Sequence, residues 1–71
     1  MKDVIEVVIC SSNVLIIYTP DMENTARWFY GMWLLRKRYN VKLIKLPDEL
    51  SVKHPELLED TLKEIVKNNC G

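Results

Sequence analysis

The sequence predicts an α+β fold with the element order ββαβα. It should form a three-stranded mixed sheet, an N-terminal antiparallel hairpin plus a right-handed βαβ crossover, with two helices. Three observations carry this. Two short Val/Ile-rich runs, "DVIEVVIC" and "NVLIIYT", are separated only by a tight polar turn. A long segment of helical periodicity then opens with proline and acids and leads into a third apolar run, "VKLIKL". A second amphipathic segment follows and ends at Gly71.

The first strand is expected over 3–10 and the second over 13–19, joined as a hairpin. In the second, Val14, Ile16 and Tyr18 take one face while Leu15 and Ile17 take the other. A strand apolar on both alternations is covered on both sides. A helix is expected over 20–39: Thr19 can cap it, Pro20 suits its first position, and Asp21 and Glu23 complement its dipole. The third strand is placed at 41–46. A loop beginning "PDELS" leads to the second helix, "HPELLEDTLKEIVKNNCG", whose apolar stripe is Leu58, Leu62, Ile65 and Val66 with Leu57 on its margin. Strands two and three flank a crossover helix and should run parallel, with strand one opposite to both. This topology brings Cys10 and Cys70 to the same end, where they can pair as a disulfide.

Seventy-one residues make one domain, residues 1–71, and a domain this small buries only roughly 60% of its unfolded surface. A content of 48% hydrophobic and 28% charged residues places it among folded globular chains. Ten basic and ten acidic residues cancel, so net charge calls for neither a nucleic acid nor a membrane. No apolar run approaches the roughly 20 residues that span a bilayer, and Asp3 and Glu6 interrupt the N-terminal run where a signal peptide would have none. Two cysteines without a CxxC spacing form no disulfide framework and point to a cytoplasmic setting.

The densest stretch is "RWFYGMWLLRKRYN", residues 27–40. The first helix carries two adjacent apolar stripes at 100° per residue: Met22, Ala26, Phe29 and Trp33, then Trp28, Met32, Leu35 and Tyr39, with Tyr30 and Leu34 as a flank. Its apolar arc is about twice the 100° that a helix packed on one sheet needs. Phe29 and Trp33 are expected to face the core. Trp28, Met32, Leu35 and Tyr39 are therefore the candidate interface with a protein partner, first of all a second copy of the chain.

The charges are polarised. No acid occurs between Glu23 and Asp48, while Arg27, Arg36, Lys37, Arg38, Lys42 and Lys45 do. Arg36, Lys37, Arg38, Lys42 and Lys67 are the candidate anion-binding group at the end shared with the cysteines. Matching of acids and bases to the two helix dipoles accounts for most of this pattern without any ligand. No RNP, zinc-finger or helix-turn-helix pattern accompanies it.

Catalytic, cofactor and metal sites are not indicated. Cys10 ends a strand, yet "CSSN" runs straight into the next one and leaves no cradle for a phosphate. His54, the single histidine, precedes Pro55 at a helix start, far from both cysteines. Residues 15–49, "LIIYTPDMENTARWFYGMWLLRKRYNVKLIKLPDE", resemble the first strand–helix–strand half of a thioredoxin- or glutaredoxin-type domain over about half of the chain. The shared features are the strand ending in Tyr18-Thr19-Pro20, the helix, and "YNVKLIKL". Met22 and Thr25 stand where that family has its CxxC pair, and the later hairpin and cis-proline region have no counterpart. The resemblance therefore implies no dithiol chemistry.

The reading that follows is a small non-enzymatic interaction module, a homodimer first, that self-associates through apolar residues of helix one or an uncovered sheet face. A small nucleic-acid-binding protein using its basic end is the alternative. A redox-responsive protein using Cys10 and Cys70 comes third.

Overall fold

The computed structural model describes residues 4–47 and 55–70. Three strands, β1 (Ile5–Cys10), β2 (Asn13–Tyr18) and β3 (Asn40–Lys45), form one sheet in the order β1-β2-β3. β1 pairs antiparallel with β2, Ile5 opposite Tyr18 through Cys10 opposite Asn13. β2 pairs parallel with β3, Asn13 beside Asn40 through Tyr18 beside Lys45. A 3-10 turn, Pro20–Met22, leads into α1 (Glu23–Leu34), which makes the crossover, and α2 (Pro55–Cys70) closes the chain.

The burial of β2 organises everything around it. Val14, Leu15, Ile16 and Ile17 have no exposed surface. Val14, Ile16 and Tyr18 meet Ala26 of α1, with Phe29, Tyr30 and Trp33 packed alongside. Leu15 and Ile17 meet Leu58 of α2 and Leu46, with Leu62, Ile65 and Val66 alongside. The helices thus lie on opposite faces of the sheet. As the sequence indicates, Phe29 and Trp33 face the core, and the apolar stripe of α2 faces the sheet.

α1 is shorter than the 20–39 expected from periodicity. A six-residue strand spans about 20 Å, and 12 helical residues return about 18 Å. A 20-residue helix would run about 30 Å and overshoot the start of β3. That start is fixed, because the Asn40 amide donates to the Ser12 carbonyl at 2.7 Å. Residues 35–39 instead fold as tight turns, with the Arg36 amide on the Trp33 carbonyl (3.0 Å) and the Tyr39 amide on the Arg36 carbonyl (3.1 Å).

Thr19 also departs from the expected helix cap. Its side chain makes no capping bond to the turn at Pro20. It points instead at the start of β1, where its Oγ1 accepts from the Val4 amide at 3.0 Å. The Thr19 amide donates to the Val4 carbonyl at 2.9 Å. A buried hydroxyl is satisfied here by extending the hairpin ladder, since its neighbourhood is sheet and not helix terminus.

The hairpin turns through Ser11 and Ser12, and Ser11 holds a φ of 54°, in the region that favours glycine. A two-residue hairpin loop needs such a residue to match the twist of its strands. Ser11→Gly relieves a left-handed penalty of about 1–2 kcal/mol against a glycine entropy cost of about 0.5–1 kcal/mol, and should therefore stabilise the fold by roughly 0.5–1 kcal/mol, read as a higher urea midpoint at unchanged slope. Leu15→Ala, by contrast, should cost about 2–5 kcal/mol, because it empties a site closed on every side.

Candidate functional site

Most of the exposed large apolar side chains lie on α1 and at its C-cap, with Ile9 of β1 and Leu57 of α2 besides. Trp28 is 65% exposed and Leu35 is 82% exposed, seven residues apart on one stripe. Met32 lies between them, half-buried, and Leu34 is exposed beside them. Trp28 meets Phe29 edge to face at 5.2 Å between ring centres, so one edge of the indole is held while the rest faces outward. α2 lies across the sheet from it and provides no cover. Tyr39, the fourth member of the expected interface, leaves the stripe because the helix ends before it. Its ring packs edge to face on Trp33 at 5.2 Å, beside the core.

The basic group is divided by the sheet. Arg36, Lys37 and Arg38 follow α1 and are exposed. The guanidinium of Arg36 sits over the Trp33 ring at 4.8 Å, and that of Arg38 over the Tyr39 ring at 5.4 Å. Arg36 also donates to the Met32 carbonyl at 3.3 Å, which places positive charge at the helix C-terminus. Lys42 stands beside Leu15 in the sheet and shares its α2-side face; its Nζ donates to Asn69 Oδ1 at 3.4 Å. Lys67 is on α2 itself. Trp33 and Tyr39 are engaged by arginines and by one another, which limits those two rings as stacking platforms for bases.

On the α2 side, the helix lies over β2 and leaves β1 partly uncovered. A groove of about 470 Å³ opens there, with Val8, Ile17, Leu62 and Val66 as its floor and Glu6, Glu59, Lys63 and Lys67 as its rim. Lys63 and Glu59 form an exposed ion pair at 3.6 Å within α2. Sequence periodicity places Leu62 and Val66 on the sheet-facing stripe, but it carries no sign that α2 stops short of the edge strand.

Cys10 and Cys70 are joined as a disulfide, with Cα atoms 5.8 Å apart. The bridge ties the end of β1 to the last turn of α2, across the end that also holds the hairpin turn. Cys10 has no thiol to offer as a nucleophile in this state. Among the described residues, no three of His, Cys, Asp or Glu gather as a metal site. His54 lies outside the described residues, as do Asp48 and Glu49. Also among the described residues, no helix is long and apolar enough to cross a membrane.

No family model matches the chain, and neither a curated protein nor a solved structure matches it.

The disulfide closes a loop 60 residues long in sequence separation. Restricting the unfolded chain to that extent contributes about 4 kcal/mol on the chain-entropy account. Urea denaturation with and without dithiothreitol should show a loss of that order on reduction, with Cys10→Ala/Cys70→Ala matching the reduced protein.

Proposed function

We propose that this chain is a small, non-enzymatic interaction module whose first partner is a second copy of itself. The observation that carries the reading is the outward stripe of Trp28 and Met32 on α1 and Leu35 at its C-cap. An indole and a leucine side chain left in water this far, two turns apart on one stripe with Met32 between them, form the kind of apolar patch that marks a contact surface. A two-fold contact would let the stripe cover itself in the partner. It would also supply apolar burial that a domain of this size lacks. Trp28 would be the anchor, since large aromatics at the centre of a contact contribute most of its affinity.

A nucleic-acid-binding role is less well supported. The candidate basic residues sit on both sides of the sheet, and two arginines already lie over aromatic rings of their own chain. A cytoplasmic setting is part of the proposal. A disulfide there is subject to reduction, so the thiol state of Cys10 and Cys70 in cells reports the compartment.

Light scattering coupled to size exclusion at about 100 µM should give a multiple of the 8.4 kDa protomer. Trp28→Glu should lower that mass by removing the α1 contact while the fold persists. Phe29→Glu should instead unfold the protomer, because Phe29 packs on the core. An 8.4 kDa particle for the unaltered chain overturns the proposal.

A further inference from the structure

The sheet has two edges, and they are unlike. β3 is guarded: Lys42 and Lys45 project from it, and Lys45 is paired with Glu23 of α1 at 3.7 Å. Charges of this kind keep an edge from pairing with another strand. β1, "IEVVIC", carries a single charge, Glu6. Neither helix covers it fully. On the α1 side Ile9 is 54% exposed, and on the α2 side the groove opens beside Val8.

The backbone of β1 is ready to pair on that edge. The Val4 carbonyl accepts from the Thr19 amide, so Val4 faces β2. In an antiparallel ladder alternate residues face the same partner. Glu6, Val8 and Cys10 therefore also face β2, while Ile5, Val7 and Ile9 turn their N–H and C=O groups outward.

We infer that β1 is the docking edge for β1 of a second copy, pairing antiparallel about a two-fold axis through Val7 to make one six-stranded sheet. This rests on the self-association reading and names a second contact for it. With the axis at Val7, Ile5 meets Ile9 of the second copy, Val7 meets Val7, and Ile9 meets Ile5. All three outward donors and acceptors are then satisfied. An axis at Glu6 would set two carboxylates opposite one another, which is unfavourable, and an axis at Val8 pairs only Val7 with Ile9.

Charge complementarity on α2 supports the same arrangement. The two-fold sets α2 antiparallel to its copy across the new seam. Three strand spacings of about 4.8 Å separate the two central strands, so helices lying over them stand about 14 Å apart. That exceeds the 8–10 Å of closely packed helices, and the long rim side chains can bridge it. Glu59 and Lys67 stand four residues either side of Lys63 on the groove flank. The antiparallel copy therefore brings Glu59 towards Lys67 and Lys67 towards Glu59, and sets Lys63 opposite Lys63 at the axis, each lysine already paired with Glu59 of its own helix at 3.6 Å. The two grooves merge into one apolar channel roofed by these pairs.

A chain using both this edge and the α1 stripe assembles as a closed tetramer if the two axes intersect at right angles. The test uses the whole chain. Ile9→Lys adds an edge charge at an exposed position, and Val7→Pro deletes an outward N–H without removing a bond to β2. Circular dichroism checks that each variant folds. Each should have a lower mass than the unaltered chain, and Ile9→Lys/Trp28→Glu should be the 8.4 kDa monomer. Amide exchange of the unaltered chain gives a reading free of substitution. The amides of Val7 and Ile9 should exchange at least tenfold more slowly at 100 µM than at 1 µM. Unchanged mass in the folded edge variants, or exchange independent of concentration, overturns the β1 contact. If Trp28→Glu still lowers the mass in that case, the self-association reading stands without the edge; an unaltered chain that is a monomer removes both.

Discussion

One strand sets the terms for the rest of this molecule. β2 is apolar at every position from Val14 to Ile17 and is sealed from water on both faces. A chain of 71 residues has little with which to seal it. It does so with a neighbouring strand at each edge and a single helix on each face. The lengths follow from that arrangement. The crossover helix is cut to match the strands, and α2 is held where its Leu58 closes over Leu15 and Ile17. Sealing one strand completely leaves the margins thinly covered. The outer stripe of α1 and the β1 side of both faces are where the apolar remainder comes to the surface.

The distribution of polar groups is the counterpart of that economy. The described residues contain no buried side-chain nitrogen or oxygen atom without a partner. Thr19, the buried polar residue of the core, is satisfied by the backbone of Val4. Arg27 and Lys45 form exposed ion pairs with Glu23, Lys63 does so with Glu59, and Arg36 and Arg38 lie over aromatic rings. Exposed pairs of this kind contribute little to stability. Their influence falls on which surfaces can meet, since β3 is closed to a neighbouring strand by lysines and β1 is not.

Much of this was legible in the residues. The hairpin, the parallel pair, the two amphipathic helices and the proximity of Cys10 to Cys70 follow from local periodicity and from the handedness of chain connections. The division of α1 into a core stripe at Phe29 and Trp33 and an outer stripe at Trp28 and Leu35 follows from the helical repeat alone. The end of α1 was not legible. Residues 35–39 keep apolar and basic side chains at helical spacing, and no glycine or proline stops them; the strand length elsewhere in the chain does. Thr19 misled for a similar reason. A threonine before proline reads locally as a cap, whereas a bond to Val4, 15 residues away, is a tertiary fact. The side of the sheet taken by each helix decides whether Arg36 and Lys67 share a surface, and no local pattern encodes it.

The Cys10–Cys70 bridge has a mechanical consequence. Tension entering along β1 reaches Cys10 and leaves through Cys70 without passing through the residues between them. The hairpin turn, β2, the crossover, β3 and α2 up to Cys70 are bypassed by the covalent bridge. Pulling on the two ends can peel β1 from the sheet, but it cannot extend the loop from 11 to 69 while the bridge holds. The same bridge thus divides the chain into a short tether that carries load and a closed ring that does not, and reduction would turn the ring into extensible length.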